Sequence, residues 1–138
     1  MCGSRFISYL LFCGCLFLFA ACSGSSPKQE IEEILSKREQ ALANKDLDLY
    51  TSLISANYAD KNKTFQEIKL NAERNFAAFG KIEMTSHKRS VYIDNSQAVV
   101  VQEYVLSFWL PSGRRSIKDK ERLVLQKEEG GWKIIQGL

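Results

Sequence analysis

Residues 97–127, QAVVVQEYVLSFWLPSGRRSIKDKERLVLQK, decide the fold class. β-Branched and aromatic side chains fill the first half, Pro111-Ser112-Gly113 breaks it with a turn, and a second alternating run follows. Ala98, Val100, Tyr104, Leu106 and Phe108 share one face of the first run. Val99, Val101, Val105 and Trp109 share the other, interrupted by Glu103 and Ser107. A strand this apolar on both sides is expected to be covered on both sides. Similar runs flank the pair, giving four expected strands over residues 81–93, 97–110, 116–127 and 132–137. Asp94-Asn95-Ser96 and Glu129-Gly130-Gly131 supply the other turns. In the first strand the apolar residues change parity between Met84 and Val91, which predicts a bulge.

Upstream of Gly80 the periodicity is helical. Ser26-Pro27-Lys28-Gln29 offers an N-cap, a first-turn proline and a capping-box partner. Ile31, Ile34, Leu35 and Leu42 follow as an apolar stripe. Asp46 can cap a second, shorter helix carrying Leu47, Tyr50, Leu53 and Ile54. An irregular piece over residues 56–60 holds room for a short strand. Thr64-Phe65-Gln66-Glu67 is another capping box, opening a third helix with Phe65, Ile68, Ala72, Phe76 and Phe79 on its face. Gly80 is placed to stop that helix in a left-handed conformation. Helices followed by an antiparallel meander make an α+β domain, with the N-terminal helices packed on one face of a curved sheet.

The first 21 residues read differently. Arg5 is their only charge, an apolar run extends from Phe6 to Phe19, and Ala20-Ala21 are small. This is the layout of a secretory signal, too short for a comfortable permanent span. Of the four cysteines, Cys2, Cys13 and Cys15 fall inside it, so the expected mature chain keeps Cys22 alone and no disulfide framework. Phe19-Ala20-Ala21-Cys22 resembles the bacterial lipobox, with Phe19 where leucine is usual and Leu18 one position further out. The resemblance implies acylation of the Cys22 thiol and cleavage before it. An ordinary signal peptide with a cysteine at the mature end is the alternative. The expected organisation is a removed signal over 1–21, a lipidated cysteine and tether over 22–26, and one domain over 27–138. At no more than about 3.6 Å per residue, the Ser23-Gly24-Ser25-Ser26 tether would hold the domain within about 15–20 Å of the lipid.

Net charge is +3 for the whole chain and falls to +2 once Arg5 leaves, a balance that speaks against a nucleic-acid partner. No phosphate loop, nucleophile elbow, zinc-protease or calcium-loop pattern occurs, and neither a metal nor a cofactor is expected.

The segment ALANKDLDLYTSLISANYAD (41–60), where one helix turns into the next, and the terminal RLVLQKEEGGWKIIQGL (122–138) resemble the nuclear transport factor 2-like superfamily. SnoaL-like and ketosteroid-isomerase-like branches belong to it, and a broader cystatin-like α+β architecture is the nearest alternative. The resemblance implies a cone-shaped fold whose cavity lies between the helices and the concave sheet face. It does not imply one activity, because the same cone hosts isomerases, dehydratases and non-catalytic binding modules.

Candidate groups follow from that frame. Ile117, Asp119, Glu121, Leu123 and Leu125 alternate with Lys118, Lys120 and Arg122. If Leu123 and Leu125 enter the cone, Glu121 becomes a pocket carboxylate; otherwise it is a solvated strand-end charge. His87, the sole histidine, stands among polar neighbours, either as a base or as a surface residue. Tyr50, Tyr58, Tyr104, Phe108 and Trp132 line a cavity or form core. Arg114, Arg115, Lys118, Lys120 and Arg122 make a basic hairpin, solvated or facing an anionic membrane. The expected protein is exported and lipid-anchored through Cys22, facing the periplasm from the outer membrane in a Gram-negative cell. Its expected role is non-catalytic binding of a protein or a small hydrophobic ligand. The alternatives are an isomerase- or dehydratase-type enzyme using the cone and a structural subunit of an envelope complex. A homodimer through the outer sheet face is a further expectation.

Overall fold

The computed structural model describes residues 24–138; the expected signal over 1–21 and the expected lipid acceptor Cys22 lie outside the described residues. Helix α1 (Pro27–Asn44) begins at a closed capping box. The Gln29 N–H donates to the Ser26 hydroxyl at 3.3 Å, and the Ser26 N–H donates to the Gln29 side chain at 2.8 Å. Lys45 ends α1 in a left-handed conformation at φ 54°. Asp46 then caps α2 (Leu47–Ser52) by accepting the Leu49 N–H at 2.9 Å. Strands β1 (Ala59–Asp60) and β2 (Lys63–Thr64) form a small hairpin. Lys61 and Asn62 both take positive φ at its tip, the backbone that tight hairpin turns demand. Thr64 opens α3 (Phe65–Ala78) through the second capping box.

Gly80 does not stop α3 as expected. The helix ends at Ala78, Phe79 is already extended at φ −97° and ψ 135°, and Gly80 is not among the positive-φ residues. Its N–H donates to the Trp109 carbonyl at 2.9 Å, so sheet pairing rather than a left-handed cap ends the helix.

Four strands follow as an antiparallel meander: β3 (Ile82–Asp94), β4 (Gln97–Leu110), β5 (Gly113–Glu128) and β6 (Gly131–Gln136). The expected bulge is present. His87 pairs with Glu103 and Ser90 with Val101, so Lys88 and Arg89 together face Gln102. Lys88 absorbs the extra residue at φ 48°. The parity switch turns Arg89 and Val91 toward the concave face, where Met84 and Ser86 lie before the bulge.

Ile31 and Leu35 of α1 sit in the core with Val100, Leu123, Leu125 and Ile134, all essentially inaccessible to water. On the opposite, convex face Val99, Val101 and Val105 are only half-buried, and Tyr92 is 64% exposed. The free side of β6 is protected near its middle: Ser55 N–H donates to Ile134 C=O, and Ile134 N–H to Leu53 C=O, both at 2.9 Å.

The C-terminus closes against this framework. The Tyr58 hydroxyl accepts the Leu138 N–H at 2.8 Å and donates to the Leu138 oxygen at 3.1 Å. Gly137, at φ 104°, lies so close to β5 that a β-carbon would run into the Arg122 carbonyl. Gly137→Ala is therefore expected to cost at least ~1–3 kcal/mol from backbone strain alone, read as a lower urea midpoint. Gly80→Ala, whose β-carbon meets nothing closer than 3.6 Å, should stay within about 0.5 kcal/mol of the parent.

Candidate functional site

The concave face of the sheet divides into three zones along β4. Ala98 and Val100 belong to the core under α1. Gln102 begins a polar belt, and Tyr104, Leu106 and Phe108 form one wall of a cavity of about 380 Å³. Ile68, Ala72 and Phe76 of α3 form the facing wall, with Phe79 stacked on Phe108 at 4.5 Å between ring centroids. The volume lies at the lower end of the range for small-molecule sites.

The belt is an ion and hydrogen-bond chain running from α1 across the sheet. Arg38, only 8% exposed, donates through both terminal nitrogens to the Glu121 carboxylate at 2.7 and 3.1 Å. The Gln102 amide donates to the same carboxylate at 2.6 Å. Arg89, turned inward by the bulge, donates from Nε to the Gln102 side-chain oxygen at 2.5 Å. Its terminal nitrogens reach Glu32 at 2.5 Å and Glu39 at 3.2 Å. Burial is the largest single influence on the Arg38 pKa and lowers it, but the charges of and hydrogen bonds to Glu121 and Tyr50 together outweigh it and hold the guanidinium above its ordinary value. Burial, reinforced by Asp119 and Glu121, raises the Tyr104 phenol, which is therefore a neutral hydroxyl at neutral pH. A polar crevice of about 620 Å³ adjoins the cavity and shares Arg38, Lys63, Tyr104 and Leu138 with it.

Among the residues singled out from sequence, Tyr50, Tyr104 and Phe108 line the cavity. Tyr58 and Trp132 do not. Tyr58 is consumed by the C-terminal clamp, and Trp132 is buried at the other end of the domain beside Glu30 and Lys127. Glu121 faces inward on the side of Leu123 and Leu125, engaged by Arg38 rather than solvated. His87 is exposed on the convex face opposite Glu103, away from the cavity. Arg114, Arg115, Lys118, Lys120 and Arg122 are exposed along β5. Arg38, Arg89 and Gln102 were missed. Two of them carried a signal: Arg38 interrupts the stripe of Ile31, Leu35 and Leu42, and Gln102 interrupts that of Val100 and Tyr104. Among the described residues no cluster of His, Cys, Asp or Glu could hold a metal ion, and no helix is long and apolar enough to cross a membrane.

The fold has counterparts among solved structures. A nuclear transport factor 2-like superfamily protein from Salmonella enterica serovar Typhimurium superposes with a TM-score of 0.71 at 16% identity, covering 79% of this chain and 86% of that one. The chain has the nuclear transport factor 2-like fold. A member of the same family from Streptomyces avermitilis, described as a candidate dehydratase, gives 0.70 at 12% identity, covering 80% and 93%. The Kfla4162 protein of Kribbella flavida gives 0.73 at 15%, covering 80% and 87%. No protein-family model and no curated protein matches the sequence.

In this nuclear transport factor 2-like cone the polar belt meets the cavity at Arg38, so its integrity bears on the site. Arg38→Met strands a buried carboxylate and should lower stability by ~3–5 kcal/mol in urea unfolding. Arg38→Met combined with Glu121→Leu removes both charges and should recover most of that loss. Breaking the exposed Lys37–Glu33 pair should cost under about 1 kcal/mol.

Proposed function

We propose that this chain is a lipid-anchored protein of the bacterial envelope whose domain binds a small, largely apolar molecule in the cone cavity without transforming it. One observation carries the binding reading: the carboxylate nearest the cavity is already fully engaged. Glu121 accepts from both Arg38 terminal nitrogens and from Gln102, leaving little lone-pair capacity for proton abstraction. His87 lies on the other face of the sheet. The rest of the lining is largely aromatic and aliphatic, with Lys63, Asn71, Arg74 and Asn75 but no carboxylate side chain and no histidine, which suits recognition better than acid–base chemistry. An isomerase- or dehydratase-type activity would need a titratable group directed into the cavity with its proton available.

The anchor rests on the sequence around Cys22. Because α1 is capped at Ser26, only residues 23–26 separate the acylated cysteine from rigid structure, and the domain works at the bilayer surface. Periplasm-facing attachment to the outer membrane is the location proposed for a Gram-negative host. The half-buried valines of the convex face offer a surface for a second copy of the chain or an envelope partner.

Two measurements test these readings. Cys22→Ser should move the protein from the membrane to the soluble fraction and abolish the mass increment of the acyl groups; unchanged membrane association without acyl mass would refute the anchor. The apolar dye anilinonaphthalene sulfonate should brighten on binding the parent, and Ala72→Phe, which fills the cavity from α3, should weaken it by roughly tenfold or more. Equal binding by a variant with an unchanged urea midpoint would place the dye elsewhere and remove the support for the cavity.

A further inference from the structure

The cavity and the crevice are two parts of one recess with opposite character. Phe76, Phe79, Leu106 and Phe108 make the cavity apolar, whereas Asp60, Lys61, Asp119, Lys120 and Arg122 belong to the crevice. The residues common to both are the junction, and two of them are cations, Arg38 and Lys63. The cavity lining holds a third cation, Arg74, and no carboxylate side chain.

Charges near the junction are unevenly satisfied. Glu121 is matched by Arg38. Asp60 accepts the Gly137 N–H at 3.0 Å, and Asp119 accepts the Lys120 N–H at 2.7 Å. Lys63 donates to the Leu138 oxygen at 2.9 Å and has two further N–H donors. A wholly apolar occupant would leave the spare Lys63 donors at the junction without an acceptor, and an occupant carrying oxygen acceptors at one end would satisfy them.

We propose that the ligand is an amphipathic anion, with a carboxylate or phosphate head at the junction beside Arg38 and Lys63 and an apolar body in the cavity. This assignment rests on the binding reading above and adds the chemical class of the ligand to it. The Arg38–Glu121 pair contributes no net charge, so the excess of Lys63 and Arg74 selects the sign. The spare Lys63 donors and the apolar lining beyond them fix which end of the molecule enters the junction.

The test uses the full chain in phospholipid nanodiscs, with octanoate, octyl phosphate and 1-octanol as probes of one shared body. Bound fractions are read by saturation-transfer NMR after subtraction of empty nanodiscs. At least one anion should bind about tenfold more tightly than octanol, and the preferred anion identifies the head. Lys63→Met, a change at an exposed side chain, should weaken the anions several-fold and leave octanol unchanged. Octanol binding as tightly as both anions would overturn the proposal, as would a Lys63→Met loss equal for all three. If none of the three binds, octanol included, and Ala72→Phe alters nothing, the reading of the cavity as a binding site fails instead.

Discussion

Arg38 and Glu121 meet 2.7 Å apart inside the domain, from positions 83 residues apart in the chain. Neither charge would be stable there alone, because removing either group from water costs several kcal/mol. Each is therefore held by the other and by a second layer of hydrogen bonds through Gln102 and Arg89. The chain ends in the half-exposed carboxylates of Glu32 and Glu39. The set ties α1 to β3, β4 and β5 at once, while a buried pair by itself adds little net stability.

That belt also explains why the cone has an interior at all. Below it, Ile31 and Leu35 pack against Val100, Leu123 and Leu125, all essentially inaccessible to water. Above it, α1 ends at Asn44, and the far half of β4 is roofed by α3, whose small Ala72 leaves room beneath. The belt stops the core from spreading upward, and the aromatic residues beyond it enclose a recess rather than a packed layer. The bulge at Lys88 and Arg89 is part of the same construction, since without the parity switch Arg89 would point to the convex face.

Much of the architecture was legible in the sequence, for identifiable reasons. Capping boxes at Ser26 and Thr64 and the cap at Asp46 are local chemistry, and all three helices begin where those residues stand. Alternation along residues 97–110 and 116–127, with turn residues between, gave the hairpin and its faces, and the parity change located the bulge. Gly80 misled because a glycine after a helix has two uses; here the edge of a sheet claimed its N–H. Tyr58 and Trp132 misled because an aromatic side chain carries no mark of which end of a domain it will fill.

The sequence by itself determined the element order, the strand faces and the apolar run that precedes Cys22, because each follows from neighbours within a few residues. The tertiary structure alone decided that Glu121 is a paired interior group, that His87 faces away, and that Arg38 at the cavity wall is linked through Glu121 and Gln102 to Arg89. Those outcomes depend on which charges come together across 50 to 83 residues of chain, and a buried charge has no fixed character until its partner is known.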